Sequence, residues 1–293
     1  MTSSAIADSS LEGPPARRGT RVKGRRNYVG GLLSWVWLVV IILPVYFIVV
    51  TSFKSQGEYF TENPLALPIP PNFTPYAQVL EKGIAHYFLN SVIVSVGAVV
   101  PVVLISFLAS YAIVRGDSRF IRFSRGLFLL GLAIPLQATI IPIYLIIIRL
   151  HMYDSLGALI LPSIAFGIPL TVLILSSFLR DVPRELFESM RLDGCTDWQM
   201  AWRLAFPLTR PAIVTVAIYN GLNVWNGFLF PLILTQSPDK RVMPLALWAF
   251  QGEYSTNIPA VLAAVVLSTL PILILYVVGR RQLLSGLTAG FGK

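Results

Sequence analysis

The sequence predicts an all-α integral membrane protein with about six transmembrane helices. Of its 293 residues, 55% are hydrophobic and only 13% are charged, and the mean hydropathy is +0.70. Soluble domains carry about a quarter charged residues, so this chain cannot cover a water-facing surface and must contact lipid. Apolar segments long enough to cross about 30 Å of hydrocarbon occupy residues 32–53, 88–114, 126–148, 157–179, 212–234 and 259–279.

The region before the first apolar segment differs in composition from the rest of the chain. Residues 1–27 are rich in Ser, Gly, Pro and Arg and contain no apolar run that could pack. We expect a disordered, basic, cytoplasmic tail there. Residues 28–293 then form the transmembrane domain, including a connection at 180–211 and a C-terminal tail at 280–293.

The formal net charge is +9, and the distribution of the positive residues indicates the orientation of the chain in the membrane. Arginine and lysine crowd into the N-terminal tail, the second and fourth connections and the C-terminal tail. Short cytoplasmic loops are enriched in these residues, so both termini are predicted to be cytoplasmic. A nucleic-acid-binding role for the positive charge is therefore disfavoured. The opposite side carries few positive residues, namely Lys54, Lys82, Arg149, Lys240 and Arg241.

The fourth connection, residues 180–211, reads as two short helices separated by Gly194. Pro183 lies in the first turn of the first helix, Thr196 or Asp197 can cap the second, and Pro207 ends it. Glycine suits a left-handed helix stop, so a helix-turn-helix on the membrane surface is predicted. Composition alone favours an amphipathic loop that lies on lipid headgroups.

Three stretches resemble a known family. Glu188-Ser189-Met190-x-x-Asp193-Gly194, followed by an apolar stretch that ends at Pro207, resembles the cytoplasmic signature loop of binding-protein-dependent ABC importer permeases. Ser189 and Met190 replace the family's usual pair of alanines. The stretches Trp-Asn-Gly-Phe-Leu-Phe-Pro at 225–231 and Gly-Leu-Thr-Ala-Gly at 286–290 are similar to the carbohydrate branch, which includes the smaller maltose-permease subunit; residues 291–293 depart from its usual ending.

The resemblance implies a type I ABC importer permease (MetI-like) bundle with cytoplasmic coupling helices, in a bacterial or archaeal cell (inner) membrane. It implies a heterodimer with a second permease, a cytoplasmic ATPase dimer, an extracytoplasmic sugar-binding protein and a sugar substrate. The residues that would dock the ATPase are Glu185, Glu188, Ser189, Met190, Asp193, Gly194, Trp198 and Pro207. The tail that would reach toward the ATPase comprises Gly286, Leu287, Thr288, Ala289 and Gly290.

We expect no catalytic, cofactor or metal site on this chain. No Gly-x-x-x-x-Gly-Lys-Ser/Thr phosphate loop occurs in the sequence, so ATP and Mg²⁺ would be used by a separate ATPase. His86 and His151 are far apart and Cys195 is the single cysteine, a pattern that predicts no metal cluster.

Polar residues of the fifth span predict the substrate pathway. Asn220, Asn223 and Gly227 share one helical face, and amides with aromatic rings suit a neutral sugar. The same amides could instead hold helices together, and Gln137 could satisfy a kink. Charged residues are absent from the centres of the spans, which disfavours a proton-coupled carrier. A membrane-surface scaffold protein is the rival interpretation. The predicted pathway residues are Asn220, Asn223, Trp225, Asn226, Gly227 and Gln137.

Overall fold

The computed structural model describes residues 28–246 and 256–289. Its regular elements are helices, joined mostly by short turns. The first half of the chain forms α1 (Tyr28–Thr51), α2 (Gln56–Thr61), α3 (Thr74–Glu81), α4 (Ile84–Arg115), α5 (Arg119–Leu132) and α6 (Ile140–Arg149). The second half forms α7 (Leu156–Arg180), α8 (Arg184–Leu192), α9 (Asp197–Met200), α10 (Phe206–Leu208), α11 (Arg210–Trp225), α12 (Leu229–Leu234), α13 (Met243–Ala246) and α14 (Ile258–Ala289). The predicted N-terminal tail, residues 1–27, lies outside the described residues.

The helices confirm a membrane protein of the predicted all-α class. Among the described residues, α1, α4 and α7 are each long and apolar enough to cross a bilayer as single helices. The predicted span at 126–148 is not one straight helix, because α5 and the helical segment Leu136–Arg149 meet at an angle of 100°. Pro135 precedes a 3₁₀ turn at this break, and proline has no N–H for the helical ladder. The fifth predicted span is also interrupted, between α11 and α12. The total of six spans therefore stays a prediction.

Helix α1 is apolar on all sides. In its most apolar 18-residue window only 6% of residues are buried, and its exposed side chains include Trp35, Val39 and Ile42. A helix that is hydrophobic around its whole circumference suits a lipid environment. Within the described part of the chain, residues 28–44 belong to one compact unit and the residues from Val45 onward belong to a second.

Small residues bring the central helices of the second unit together. Helix α4 packs along α7, and α11 packs against both and against α14. The buried face of α4 includes Ser91, Ala98, Ser106 and Ser110, and the Ser110 hydroxyl donates to the Val172 carbonyl oxygen at 3.1 Å. Small residues let helix backbones approach closely, which is the main source of association between helices in lipid.

Asp154, just before the N-terminal end of α7, forms hydrogen bonds that join the connection between α6 and α7 to the connection between α12 and α13. Its Oδ1 accepts hydrogen bonds from the backbone N–H groups of Gln236 and Ser237 at 2.8 and 3.0 Å, and its Oδ2 accepts one from the Ser237 hydroxyl. The Ser237 hydroxyl, then the two backbone N–H groups, lower the pKa of Asp154 below its ordinary value. The same segment is held further along, because the Asn90 amide donates to the carbonyl oxygens of Asp239 and Arg241.

We expect Asp154→Asn to loosen this clamp. Residue 154 has a φ of 57°, which asparagine tolerates, so the substitution removes the charged acceptor without adding backbone strain. The loss should be about 1 kcal/mol, which is less than for a buried hydrogen bond to a charged group because the carboxylate is partly solvated, or about 2–4 °C in the unfolding midpoint.

The pH dependence gives the control for this variant. Because the native pKa of Asp154 is depressed, its stabilisation is complete above the unfolded value, near pH 4, and is lost as the pH falls through the native value. Thermal unfolding in detergent at pH 7 and at pH 3 should separate wild type from Asp154→Asn more at pH 7. An equal separation at both values would contradict the clamp.

Candidate functional site

The connection after α7 folds into the predicted helix-turn-helix. Gly194, between α8 and α9, has a φ of 81°, and the N–H groups of Gly194 and Cys195 donate back to the carbonyl oxygens of Arg191 and Met190. Thr196 caps α9 through a reciprocal capping box with Gln199. The glycine stop and the threonine cap confirm the local pattern that predicted them.

The second helix of this pair continues past α9 through a π-helical turn, Ala201–Ala205, into α10. Trp202 lies in the turn, and its ring is 5.1 Å from the Phe206 ring and 5.5 Å from the Phe107 ring of α4 (centroid distances). Ala201 and Ala205 are buried against the same cluster. The second helix is therefore attached to α4 by aromatic contacts.

Phe187 attaches the first helix of the pair, α8, to the bundle. Its side chain is 2% exposed, its ring lies 6.3 Å from the Tyr111 ring, and the Arg115 guanidinium carbon lies 4.1 Å from its ring centre. Leu186, the apolar residue before it in the same helix, is 41% exposed. The burial of Phe187 could be anticipated only by knowing where the C-terminal end of α4 lies.

Most of the residues predicted to dock an ATPase lie on the outer surface of this helix pair. Met190 is half-buried against the core, and Trp198 is 62% exposed, with its ring 5.6 Å from that of Trp202. An exposed ion pair of 2.7 Å joins Arg191 to Asp197 across the glycine turn. The other predicted docking residues are all exposed, namely Glu185, Glu188, Ser189, Asp193, Gly194 and Pro207.

Gly194→Val is expected to disturb the angle between α8 and α9. Open space surrounds the α-carbon, so the cost is conformational, about 1–2 kcal/mol for a left-handed residue with a side chain. We expect ATPase docking and substrate uptake to fall together while membrane insertion survives. Gly194→Asn is the matched control, because asparagine tolerates this conformation, and it should retain most activity. Normal uptake by Gly194→Val would refute the prediction.

A cavity of about 390 Å³ opens between α4, α7, α11 and the segments after Pro135 and Asn226. This volume falls in the range of small-molecule pockets, about 300–1,000 Å³. Its wall combines hydroxyls, amides and aromatic rings with aliphatic side chains, and the described residues contribute no charged group to it. The polar and aromatic groups of the wall are Ser91, Gln137, Ser163, Phe166, Tyr219, Asn220, Asn223, Phe228 and Phe230.

The orientation of Asn220 is set by its neighbours. The Thr171 hydroxyl donates to the Gly167 carbonyl oxygen at 2.7 Å, so that hydroxyl accepts from the Asn220 amide at 2.9 Å. The second N–H of the same amide donates to the Val216 carbonyl oxygen at 2.8 Å. Both donors of Asn220 are thus used, and its Oδ1, which lies on the Gly167 side, is left as an acceptor in the cavity wall.

The structure brings four of the six predicted pathway residues to this cavity, namely Asn220, Asn223, Gly227 and Gln137. The other two lie elsewhere. Trp225 is 7% exposed, packs edge-on against Phe88, and donates its indole N–H to the Ser268 carbonyl oxygen of α14 at 3.2 Å. Asn226 is exposed and donates to the Leu222 carbonyl oxygen. Both point away because the helix rotates by about 100° per residue.

Sequence reasoning missed the contribution of α7 to the wall. Ser163 and Gly167 are four residues apart, with Thr171 one further turn along, so they form a stripe of small and polar residues on one face. That spacing was the available signal. Phe166, whose ring lies 5.8 Å from that of Phe230, had no signal, because an aromatic residue in an apolar helix is ordinary.

The predicted C-terminal tail lies at the end of the described residues. The backbone of α14 extends through Gly286, Leu287, Thr288 and Ala289, whereas Gly290 lies outside the described residues. Within the described part of the chain, no group of three or more His, Cys, Asp or Glu residues could hold a metal ion.

Membrane-length helices around a cavity that combines apolar and neutral polar groups, with an amphipathic helix pair at one end, are typical of a membrane transport protein of the permease type. Residues 87–283 match the model of one protein family, the binding-protein-dependent transport system inner membrane component. This match covers more than half of the chain, and the chain belongs to that family.

Similar proteins align with this chain over almost its whole length. The chain is 38% identical to a putative ABC transporter permease protein of Caldicellulosiruptor over 88% of this chain and 94% of that protein. It is 33% identical to a diacetylchitobiose uptake system permease of Streptomyces coelicolor (94% and 92%). It is 30% identical to an arabinooligosaccharides transport system permease of Halalkalibacterium halodurans (88% and 96%).

A solved structure shares the fold. A chain of a bacterial ABC transporter involved in the import of the acidic polysaccharide alginate superposes with a TM-score of 0.77, at 20% identity, over 92% of this chain and 99% of that chain. The protein is therefore a multi-pass permease of the ABC importer fold.

Proposed function

We propose that this permease conducts a neutral sugar, and that the cavity at Asn220 is part of the conduction path. The observation that carries the proposal is the composition of the wall, in which the described part of the chain presents neutral amides, hydroxyls and aromatic rings and no charged side chain. Amides pair with sugar hydroxyls, and aromatic faces pack on the apolar C–H faces of sugar rings. An anionic sugar would instead call for arginine or lysine in the wall.

The transport systems to which several relatives belong support a carbohydrate substrate. Besides the diacetylchitobiose and arabinooligosaccharide systems, a probable permease for starch degradation products is 28% identical over 91% of this chain. These names belong to those proteins, and they suggest neutral oligosaccharides as the first substrates to test.

The proposed assembly contains a second permease, a cytoplasmic ATPase dimer and an extracytoplasmic sugar-binding protein. The helix pair α8–α9 docks the ATPase, with both termini of the chain in the cytoplasm. The exposed polar surface of α8 and its attachment through Phe187 support this role. A solved alginate transporter is described in complex with a periplasmic protein that holds an alginate pentasaccharide, which supports a binding protein as the donor of substrate.

A pair of asparagines tests the conduction path. Asn223 and Asn226 are both exposed, and each donates to the carbonyl oxygen four residues earlier at 2.8 Å, but only Asn223 lines the cavity. In a strain that relies on this chain, we expect Asn223→Leu to reduce uptake of the transported oligosaccharide at least ten-fold, and Asn226→Leu to leave it within two-fold of wild type. Equal effects would contradict the proposed path.

Two further measurements test the substrate class and the assembly. Uptake of radiolabelled diacetylchitobiose, arabinobiose and maltotriose should include one neutral sugar that requires this chain, whereas uptake of an alginate oligosaccharide should not require it. Purification in mild detergent should recover a second permease and an ATPase. Recovery of this chain alone after crosslinking would instead favour a membrane-surface scaffold protein.

A further inference from the structure

Helix α5 presents three distinct faces. Its packing face is half-buried and comprises Ile121, Ser124, Phe128 and Gly131, and it lies against α7, where a Cβ on Gly131 would come within 2.9 Å of Pro169. A second face is apolar but exposed, and a third is a row of arginines at intervals of three residues. The exposed apolar side chains are Phe120 (76%), Phe123 (66%), Leu127 (53%) and Leu130 (68%).

The arginine row is free to bind a ligand. Arg119, Arg122 and Arg125 are all exposed. Arg122 pairs with Asp117 at 3.0 Å, but both side chains are largely solvated, and such a pair exchanges easily because it contributes little stability. Among the described residues, the side chains of Arg119 and Arg125 make no hydrogen bond or ion pair. The row thus carries positive charge that the described part of the chain does not neutralise.

The position of α5 in the fold places this row at a membrane boundary. Arg115 ends the membrane-length helix α4 and lies over the ring of Phe187 in the surface helix α8, and α5 begins after a short turn that follows Gly116. Arg119 to Arg125 rise about 9 Å along the helix, comparable with a headgroup layer of about 5–7 Å on each side of the hydrocarbon. Leu127 and Leu130 continue from there into the apolar region.

We propose that the first two turns of α5 bind an anionic phospholipid. Arginine guanidinium groups pair bidentately with phosphate oxygens, so Arg119 and Arg125 hold the headgroup, and Arg122 joins them by exchanging its partner Asp117. Phe120 and Phe123, on the adjacent face, contact the acyl chains. A zwitterionic lipid of equal chain length would fit the apolar face but would lack the net negative charge that the arginine row attracts.

Native mass spectrometry of the full-length chain tests this proposal. The purified chain, in a neutral detergent, is exposed to equimolar dioleoylphosphatidylglycerol and dioleoylphosphatidylcholine. We expect the wild type to retain the anionic lipid at least five-fold over the zwitterionic lipid. In R119Q/R125Q the ratio should fall close to one, and this variant removes no side-chain hydrogen bond or ion pair among the described residues.

A charge-matched variant makes the result specific. R149Q/R241Q removes the same net charge near the opposite end of the bundle and should keep the wild-type ratio. An equal loss of selectivity in both variants would show that lipid selectivity follows from the net charge of the chain, and would contradict a binding site on α5. Unchanged selectivity in R119Q/R125Q would also overturn it; if that variant additionally lost its copurifying subunits, the arginine row would be a protein interface instead.

Discussion

Phe187→Ala is expected to detach α8 from the bundle and to abolish coupling to the ATPase. Phe187 is almost completely buried between Tyr111 and Arg115, and removal of a buried phenylalanine side chain costs about 3–5 kcal/mol. A nine-residue helix has little stability of its own, so this loss should release it from the bundle. We expect the amount of copurifying ATPase and the rate of uptake to fall at least ten-fold.

Leu186→Ala is the matched control for this prediction. Leu186 precedes Phe187 in the same helix but is 41% exposed, so its truncation removes little packing. Its effect on uptake should be less than two-fold. A larger effect would mean that Leu186 itself contacts the ATPase. Thermal unfolding distinguishes such a contact from loss of packing, because only Phe187→Ala should lower the stability of the isolated chain. Wild-type stability and coupling in Phe187→Ala would show that α8 is held by other contacts.

Gly167→Ala is expected to have the second large effect, through the cavity wall. A Cβ at this position would lie 2.7 Å from the Asn220 Oδ1 and 2.9 and 3.2 Å from the methyl groups of Val102. Overpacking of this kind costs about 1–3 kcal/mol, and relief requires α7 to move away from α11 or Asn220 to turn. Either movement disrupts the hydrogen bond from Asn220 to Thr171, so we expect a ten-fold or greater loss of uptake.

Gly221→Ala is the corresponding control. Of the side chains that the structure describes, a Cβ there would meet Val99 alone, at 4.0 Å, and alanine favours a helix by about 1 kcal/mol over glycine. This variant should be as active as wild type and equally or more stable. Similar uptake by the two alanine variants would mean that the close approach of α7 to Asn220 is not needed for transport. Initial rates over a range of substrate concentrations, normalised to the amount of chain in the membrane, provide the comparison.

Local sequence patterns determined the class of the protein and several of its details. Low charge and long apolar segments predicted a helical membrane protein because lipid offers no partner for exposed backbone groups. Gly194 and Thr196 predicted the turn and the cap of the helix pair because each depends on contacts within a few residues. The signature loop also indicated the family, since its residues are contiguous.

Tertiary structure alone decided which side chains meet. Asn220 donates a hydrogen bond to Thr171, 49 positions earlier, and lies in the cavity wall. Trp225, in the same helix, faces α14 instead. The periodicity of α11 alone could not predict which of these two residues would line the cavity. The burial of Phe187 rather than Leu186 depends on where α4 ends. Helical periodicity identifies the residues that share a face, whereas the neighbour of that face is set by close packing between segments distant in sequence.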